Sequence, residues 1–314
     1  MSNARLSVRD SLIDWRGLVL GDKSSLILDD YHPYEDLPKM KNPSGGYIFN
    51  TNNSPFNSAA KEDNLDESDY EPTFSFKEGE NNRSLRFMEL IGGYDKLSYE
   101  DFKEIKYDQK YPDSLILIGN IKTVFDLKKE NFKDYRDLLN LIQGWDRRGG
   151  AENIGAAQWN LYYNFMLSVL SENKFKIEDT IAHKYHLEAL ERTQDHLIKN
   201  FGRLDISLGD IQRHVRGEKN FPASGLIDMI APTYSVPTDG GRLRAVSGES
   251  YIMLIRYTKD GPEVETVIPY GNSSDPESPH YTDQMLMYLD KKLKVMSLDR
   301  EEVMADAVRI YNPI

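Results

Sequence analysis

Only a few groupings in this 314-residue chain have the residue types and spacing that chemistry needs. Six carboxylates, Glu62, Asp63, Asp66, Glu67, Asp69 and Glu71, fall within one short stretch. Such a run offers oxygen ligands to a hard cation, but it is not an EF-hand loop, because the required Gly and the closing bidentate Glu are out of register. On its own it reads as a solvated loop. His183 and His186 share a helix face at i, i+3. Neither Glu-x-x-His nor His-Glu-x-x-His accompanies them, so zinc is not expected there. His280 reads as an anchor for its own loop. Asn50, Asn52 and Asn53 carry amides that read, without further information, as turn formers. Arg83 reads equally as one half of a helix-surface ion pair. No paired-carboxylate motif of the glycosidase kind is present. The chain has no Cys, which removes thiol nucleophiles, disulfides and thiolate metal sites and is compatible with either redox compartment.

Charge and hydropathy narrow the classes further. The net charge of −12 repels a phosphate backbone, so nucleic acid is not an expected partner. No run of eighteen apolar residues occurs, so no membrane-spanning helix is expected. The first twelve residues include Arg5, Arg9 and Asp10 and lack an apolar centre, which excludes a secretory signal at this start. Ser2-Asn3-Ala4 reads as the remnant of a cloning tag, and residues 1–4 are set apart on that ground.

The elements that must position these groups fall into three stretches. Residues 5–80 read as loop and short strand, because Pro33, Pro38, Pro43, Pro55 and Pro72 interrupt every candidate helix. Tyr47-Ile48-Phe49 is the strand candidate, launched from Gly45-Gly46. Residues 81–200 read as helical. Leu85, Met88, Leu90 and Ile91 form the first apolar stripe, stopped by Gly92-Gly93. Ser98 is placed to cap a second helix with Asp101 at its third position. Further helices are expected over 113–127, 131–145, 151–171 and 178–200. Residues 201–314 return to strands, at 250–257 and 264–268 as an antiparallel pair across Gly261-Pro262, followed by a short helix over 282–289 and an irregular end. Helices and strands are segregated rather than alternating, so the expected fold class is α+β, with a helical middle and strands near both ends.

Five stretches carry a resemblance to a known family. Residues 47–56, Tyr-Ile-Phe-Asn-Thr-Asn-Asn-Ser-Pro-Phe, resemble the Asn-Asn-Ser-Pro signature of the penicillin amidase family. Asn82-Arg83-Ser84-Leu85-Arg86 with Glu89-Leu90 is similar to the Arg-bearing helix that follows it. Gly144-Trp145-Asp146 resembles a helix end of that family. Residues 241–251 and 269–284 are similar to its closing strands and loop. His32-Pro33, Leu37-Pro38 and Asn42-Pro43 lean toward the branch of acyl-homoserine lactone and aculeacin acylases.

The resemblance implies a partial N-terminal-nucleophile hydrolase fold and hydrolysis of N-acyl amides such as acyl-homoserine lactones, lipopeptides or penicillin-like compounds. In that family a Ser exposed by self-cleavage attacks the amide, and its own α-amino group, with an ordinary pKa of about 8, serves as base. Asn52 matches the signature Asn whose side-chain NH₂ donates to the oxyanion, and Arg83 matches a supporting Arg near the active site. No cofactor is implied, except that some relatives bind Ca²⁺, for which Asp63 is the best-placed ligand by its spacing from Asn52. The family's nucleophile is a Ser followed by Asn and Trp, some two hundred residues before the signature. Here Ser2 lies only fifty residues before Asn52 and lacks that context. The expectation is therefore an acylase fragment, the C-terminal part of a large subunit. Alone it would be inactive, and its partners would be the rest of that subunit and the small subunit. The substrate would be an N-acyl small molecule and the location periplasmic or secreted. The competing expectation is a non-catalytic binding or scaffold protein that keeps the acylase surface.

Overall fold

Several elements begin where the sequence supplies a cap or a breaker, as at Ser98 and Gly155. The structure is a computed structural model and describes residues 6–311 apart from 16, 75, 77, 78 and 176–179. Ser2 and the rest of residues 1–5 lie outside the described residues. The chain divides into two compact units, residues 1–88 and 89–314.

In the first unit the segments before residue 82 form 3₁₀ turns at Tyr34–Asp36, Pro55–Asn57, Lys61–Asp63, Glu67–Asp69 and Pro72–Phe74, with Pro33, Pro55 and Pro72 opening the first, second and last of these. Its interior is small and aromatic. Phe56 lies 5.5 Å from Tyr70 and 5.9 Å from Phe76 between ring centres, with Leu37, Ala59 and Phe74 buried. The expected strand at Tyr47-Ile48-Phe49 is absent, since these residues join no ladder. The alternation behind that expectation is nonetheless real. Tyr47 and Phe49 both meet Phe87, at 5.9 and 4.5 Å, while Ile48 between them is exposed. What is lacking is a partner strand, because Phe49 N–H donates instead to the Ser58 carbonyl of the same local loop, at 2.8 Å. Helix α1 (Asn82–Ile91) follows where the apolar stripe places it and ends before Gly92.

In the second unit, α2 (Tyr99–Lys106) starts with the expected capping box: Ser98 Oγ accepts from Asp101 N at 3.1 Å and Asp101 Oδ2 accepts from Ser98 N at 3.0 Å. The helix expected over 113–127 is instead loop and a 3₁₀ turn, Ile121–Asp126. Gly119 at φ 55° interrupts it, and the buried Ile121 and Val124 are three apart, the spacing that eclipses on a 3₁₀ helix. Helices α3 (Arg136–Gln143), α4 (Ala156–Glu172) and α5 (His183–Phe201) fill the remaining expected spans. Gly202, at φ 71°, ends α5 in the left-handed conformation common after a helix. Leu138, Leu139 and Ile142 of α3 pack with Trp159 and Met166 of α4 and with Leu190 and Leu197 of α5, forming the main core.

A short α6 (Leu208–Ile211) leads into a four-stranded sheet that the Gly- and Pro-rich composition of residues 201–250 did not announce. Its strands are β1 (Gln212–Arg216), β2 (Lys219–Pro222), β3 (Thr233–Pro237) and β4 (Leu243–Gly248), in the order β2-β1-β4-β3. β1 and β4 run parallel, and the other neighbours are antiparallel. The expected hairpin is present as β5 (Ile252–Thr258) and β6 (Gly261–Val267), running in register from Ile252↔Val267 to Thr258↔Gly261. After α7 (Met285–Leu289), a two-residue β7 (Lys294–Val295) adds to β6. The end is not wholly irregular, because Asp299 caps a further helix, α8 (Arg300–Ala305), through the N–H groups of Glu301 and Glu302. Helices and strands are segregated along the chain as an α+β protein requires. The sheets lie toward the C-terminus, and among the described residues before α1 the one β-type pairing is an isolated Ser7↔Tyr31 bridge. Among the described residues no helix is long and apolar enough to cross a membrane.

Candidate active site

The Asn-rich segment folds by giving each amide a different task. Asn50 Oδ1 accepts from Asn52 N at 3.1 Å, which closes a local turn. Asn53 is buried. Its Oδ1 takes Thr51 N at 2.8 Å and Thr51 Oγ1 at 2.9 Å, and its Nδ2 donates to the carbonyls of Asn57 and Ser54. Ser54 Oγ then caps the turn that Pro55 opens, accepting from Phe56 N at 3.2 Å. For Asn50 and Asn53 the turn-forming reading is the correct one.

Asn52 is different. Its backbone lies at φ 65°, a left-handed conformation that Asn tolerates better than most residues, and its side chain is exposed. The amide is met by a residue of the first turn of α1: Arg83 Nη1 donates to Asn52 Oδ1 at 2.9 Å. Arg83 is thus turned onto the signature loop rather than simply along the helix surface. With the oxygen held by a cation, the amide presents Nδ2 as its remaining polar end. A cation on the oxygen also draws electron density through the conjugated amide and strengthens its N–H groups as donors.

The loop and the helix are joined by a residue that the motif comparison passed over. Asn81 is the N-cap of α1: its Oδ1 accepts from Ser84 N at 2.9 Å while Ser84 Oγ accepts from Asn81 N at 3.0 Å. Asn81 Nδ2 donates across to the Thr51 carbonyl, also at 2.9 Å. The available signal was an Asn immediately before an apolar periodic run, with Ser three positions on.

Asp63 is engaged elsewhere in the same unit. Its Oδ1 accepts from Ser44 N and Ser44 Oγ, both at 2.8 Å, and its Oδ2 from Gly45 N at 2.7 Å. The Gly45 N–H, and after it the Ser44 hydroxyl and N–H, hold this carboxyl below the usual range. Both oxygens of Asp63 thus brace the turn at Ser44 and Gly45. Among the described residues no three His, Cys, Asp or Glu side chains converge as a metal group would need.

The histidines serve structure. His186 is buried between Tyr162 Oη, 2.6 Å from Nδ1, and Thr123 Oγ1, 3.2 Å from Nε2, and His183 packs on Phe132. His280 Nδ1 meets Asp283 Oδ2 at 2.9 Å, and its carbonyl accepts from Ser273 N, so it holds its loop as expected. That loop is clamped further by Arg216, which lies over the rings of Tyr270 and Tyr281 and donates to the Ser273 carbonyl.

Comparison with known proteins bears on what this geometry belongs to. The acyl-homoserine lactone acylase PvdQ of Pseudomonas fluorescens is 29% identical over 105 residues, which is 32% of this chain and 14% of that protein. The aculeacin-A acylase of Actinoplanes utahensis is 31% identical over 111 residues, 33% of this chain and 14% of the relative. Among solved structures, a thermostable penicillin G acylase from Alcaligenes faecalis superposes with a TM-score of 0.51 at 15% identity, over 99% of this chain and 64% of that one. The chain therefore spans less than two thirds of the length of these relatives, and the structural likeness establishes the fold. The sequence profile described as penicillin amidase matches residues 2–305, nearly the whole length. On that match, over the same residues that hold Asn52 against Arg83, the chain belongs to the penicillin amidase family.

Proposed function

We propose that this chain forms the oxyanion-stabilising side of an N-acyl amide hydrolase. Asn52 Nδ2 is the donor and Arg83 holds that donor in place. The single observation that carries the reading is the 2.9 Å contact from Arg83 Nη1 to Asn52 Oδ1, which fixes the amide with its NH₂ outward. When a hydroxyl oxygen adds to an amide carbonyl carbon, the C=O π pair moves onto oxygen. That oxyanion is stabilised by a preorganised neutral donor, which adds no competing proton transfer. Collapse of the intermediate restores the carbonyl and expels the amine, which takes the proton removed from the attacking hydroxyl. Water then releases the acyl group by the same addition and collapse.

The attacking hydroxyl in this proposal comes from an N-terminal Ser on an accompanying segment, with its α-amine as base. The hydroxyl next to Asn52, that of Thr51, is committed to Asn53 Oδ1 and so is not poised to attack. The chain by itself would then turn over no amide, and it would work with the nucleophile-bearing part of a large subunit and a small subunit. Its substrates would be N-acyl amides of the acyl-homoserine lactone, lipopeptide or penicillin-like kind, the first in keeping with the name of one relative, and its location the periplasm or the exterior. Incubation of the chain with a chromogenic fatty-acyl amide tests this. No release of chromophore is expected, and release that disappears in Ser2→Ala would overturn the assignment of the nucleophile.

A further inference from the structure

We propose that Asn81 is a positioning residue that sets the direction of the Asn52 donor. This rests on the reading of Asn52 as the oxyanion donor. The argument is one of backbone geometry. The Thr51 carbonyl and the Asn52 N–H belong to one planar peptide unit. Asn81 Nδ2 holds the carbonyl edge of that plane at 2.9 Å, and Asn50 Oδ1 holds the N–H edge at 3.1 Å. With both edges held, Asn52 keeps its left-handed backbone at φ 65°, and Arg83 fixes the remaining side-chain rotation through Oδ1.

Asn81 is buried, at 8% exposure, and none of its polar atoms is idle. Its N–H and Oδ1 are exchanged with Ser84, its carbonyl accepts from Leu85 N, and its Nδ2 goes to Thr51. The one amide thus accepts from the helix and donates to the loop at once. The helix turn that receives Asn81 also carries Arg83, so one residue sets the distance between the loop and its cation. Thirty positions separate Asn81 from Thr51, which makes the tether a tertiary contact rather than a local turn.

The helix cap and the loop tether are chemically separable. In Asn81→Ser the hydroxyl remains an N-cap of comparable strength, yet it is too short to reach Thr51. In Asn81→Asp the cap acceptor is kept, with the 3.3 Å contact it accepts from Thr51 Oγ1, and only the donor to the Thr51 carbonyl is lost. The test uses the ¹⁵N-labelled 314-residue chain, with the Asn52 side-chain signal assigned by its disappearance in Asn52→Asp. Both Asn81 variants are expected to stay folded but to melt below the wild type, because the Thr51 carbonyl loses its donor, while the order parameter of the Asn52 N–H groups falls from about 0.85 toward 0.6 or below. Wild-type order at Asn52 in both variants would overturn the proposal whatever the activity shows.

The assembled enzyme adds a second readout. Asn81→Ser is expected to lower kcat about tenfold to a hundredfold with KM little changed, as a misplaced donor does. Full kcat in Asn81→Ser, alongside lost turnover in Asn52→Asp, would sink the positioning role and leave the oxyanion reading standing. Unchanged turnover in Asn52→Asp would sink the oxyanion reading instead, and the order parameters would still decide whether Asn81 holds the loop.

Discussion

Arg83 Nη1 lies 2.9 Å from Asn52 Oδ1 across 31 positions of sequence, and this contact decides which end of the Asn52 amide faces outward. An unrestrained exposed amide presents oxygen and nitrogen alternately. A guanidinium only donates, so it selects the oxygen and leaves the NH₂ as the other polar end of the amide.

Asn52→Asp is the sharpest test of that polarity. Aspartate is isosteric, tolerates the left-handed backbone and still accepts from Arg83, but its two oxygens donate nothing. In the assembled enzyme kcat is expected to fall by about 10²–10³, the usual loss for one oxyanion donor, with an unchanged circular dichroism spectrum. Retained kcat in a folded Asn52→Asp protein would remove Asn52 from the chemistry.

The start of α4 depends on Gly155, whose φ is 96°. A Cβ there would lie 2.8 Å from Trp145 Cβ and 3.0 Å from the Leu141 carbonyl oxygen. Backbone strain and overpacking together put the cost of Gly155→Ala at about 2 to 5 kcal/mol. Urea unfolding is expected to show a lower midpoint with a similar slope, and an unmoved midpoint would refute the packing argument.

His186 makes stability depend on pH. Tyr162 Oη donates to Nδ1, Nε2–H donates to Thr123 Oγ1, and Thr123 donates on to the Asn120 carbonyl, so every donor is satisfied with a neutral ring. Burial, with a smaller repulsion from His183, pushes the imidazole from its ordinary 6.5 down to about 4. The folded value is the lower one, so between those limits the unfolded chain binds the extra proton. The His186 contribution is complete above pH 6.5 and is lost as pH falls toward 4, a change on the order of 3 kcal/mol. Thermal melts of wild type and His186→Gln are expected to diverge in slope across that window. Parallel curves would exclude His186 as the source.

Asp63 acts lower on the pH scale. Its folded carboxyl sits below the usual value because the Gly45 and Ser44 N–H groups and the Ser44 hydroxyl donate to the ionised form. Its contribution is present above an unfolded value of about 3.9 and disappears as pH falls through the folded one. Amide exchange at Ser44 and Gly45 is expected to accelerate in acid only below about pH 4, and to be fast at neutral pH already in Asp63→Asn. Protection that survives in Asp63→Asn would show that the carboxylate does not hold this turn.

The sequence by itself determined whatever is settled within a few residues. Ser98 with Asp101, Gly202 after α5 and the β-branched and aromatic runs on both sides of Gly261-Pro262 act across one turn or one hairpin, so they are visible along the chain. The signature likewise pointed to Asn52 and Arg83 one at a time. Tertiary structure decided what depends on distant partners. Tyr47-Ile48-Phe49 alternates like a strand but finds rings rather than a ladder, and residues 113–127 are apolar enough for a helix but are broken at Gly119. The parallel β1 and β4 pair has a crossover between its strands and no local signature. The turn around Asn52 is a local preference. Which way its amide points is fixed only when Asn81 and Arg83 arrive on α1, because a hydrogen bond across thirty residues leaves no period in the sequence to read.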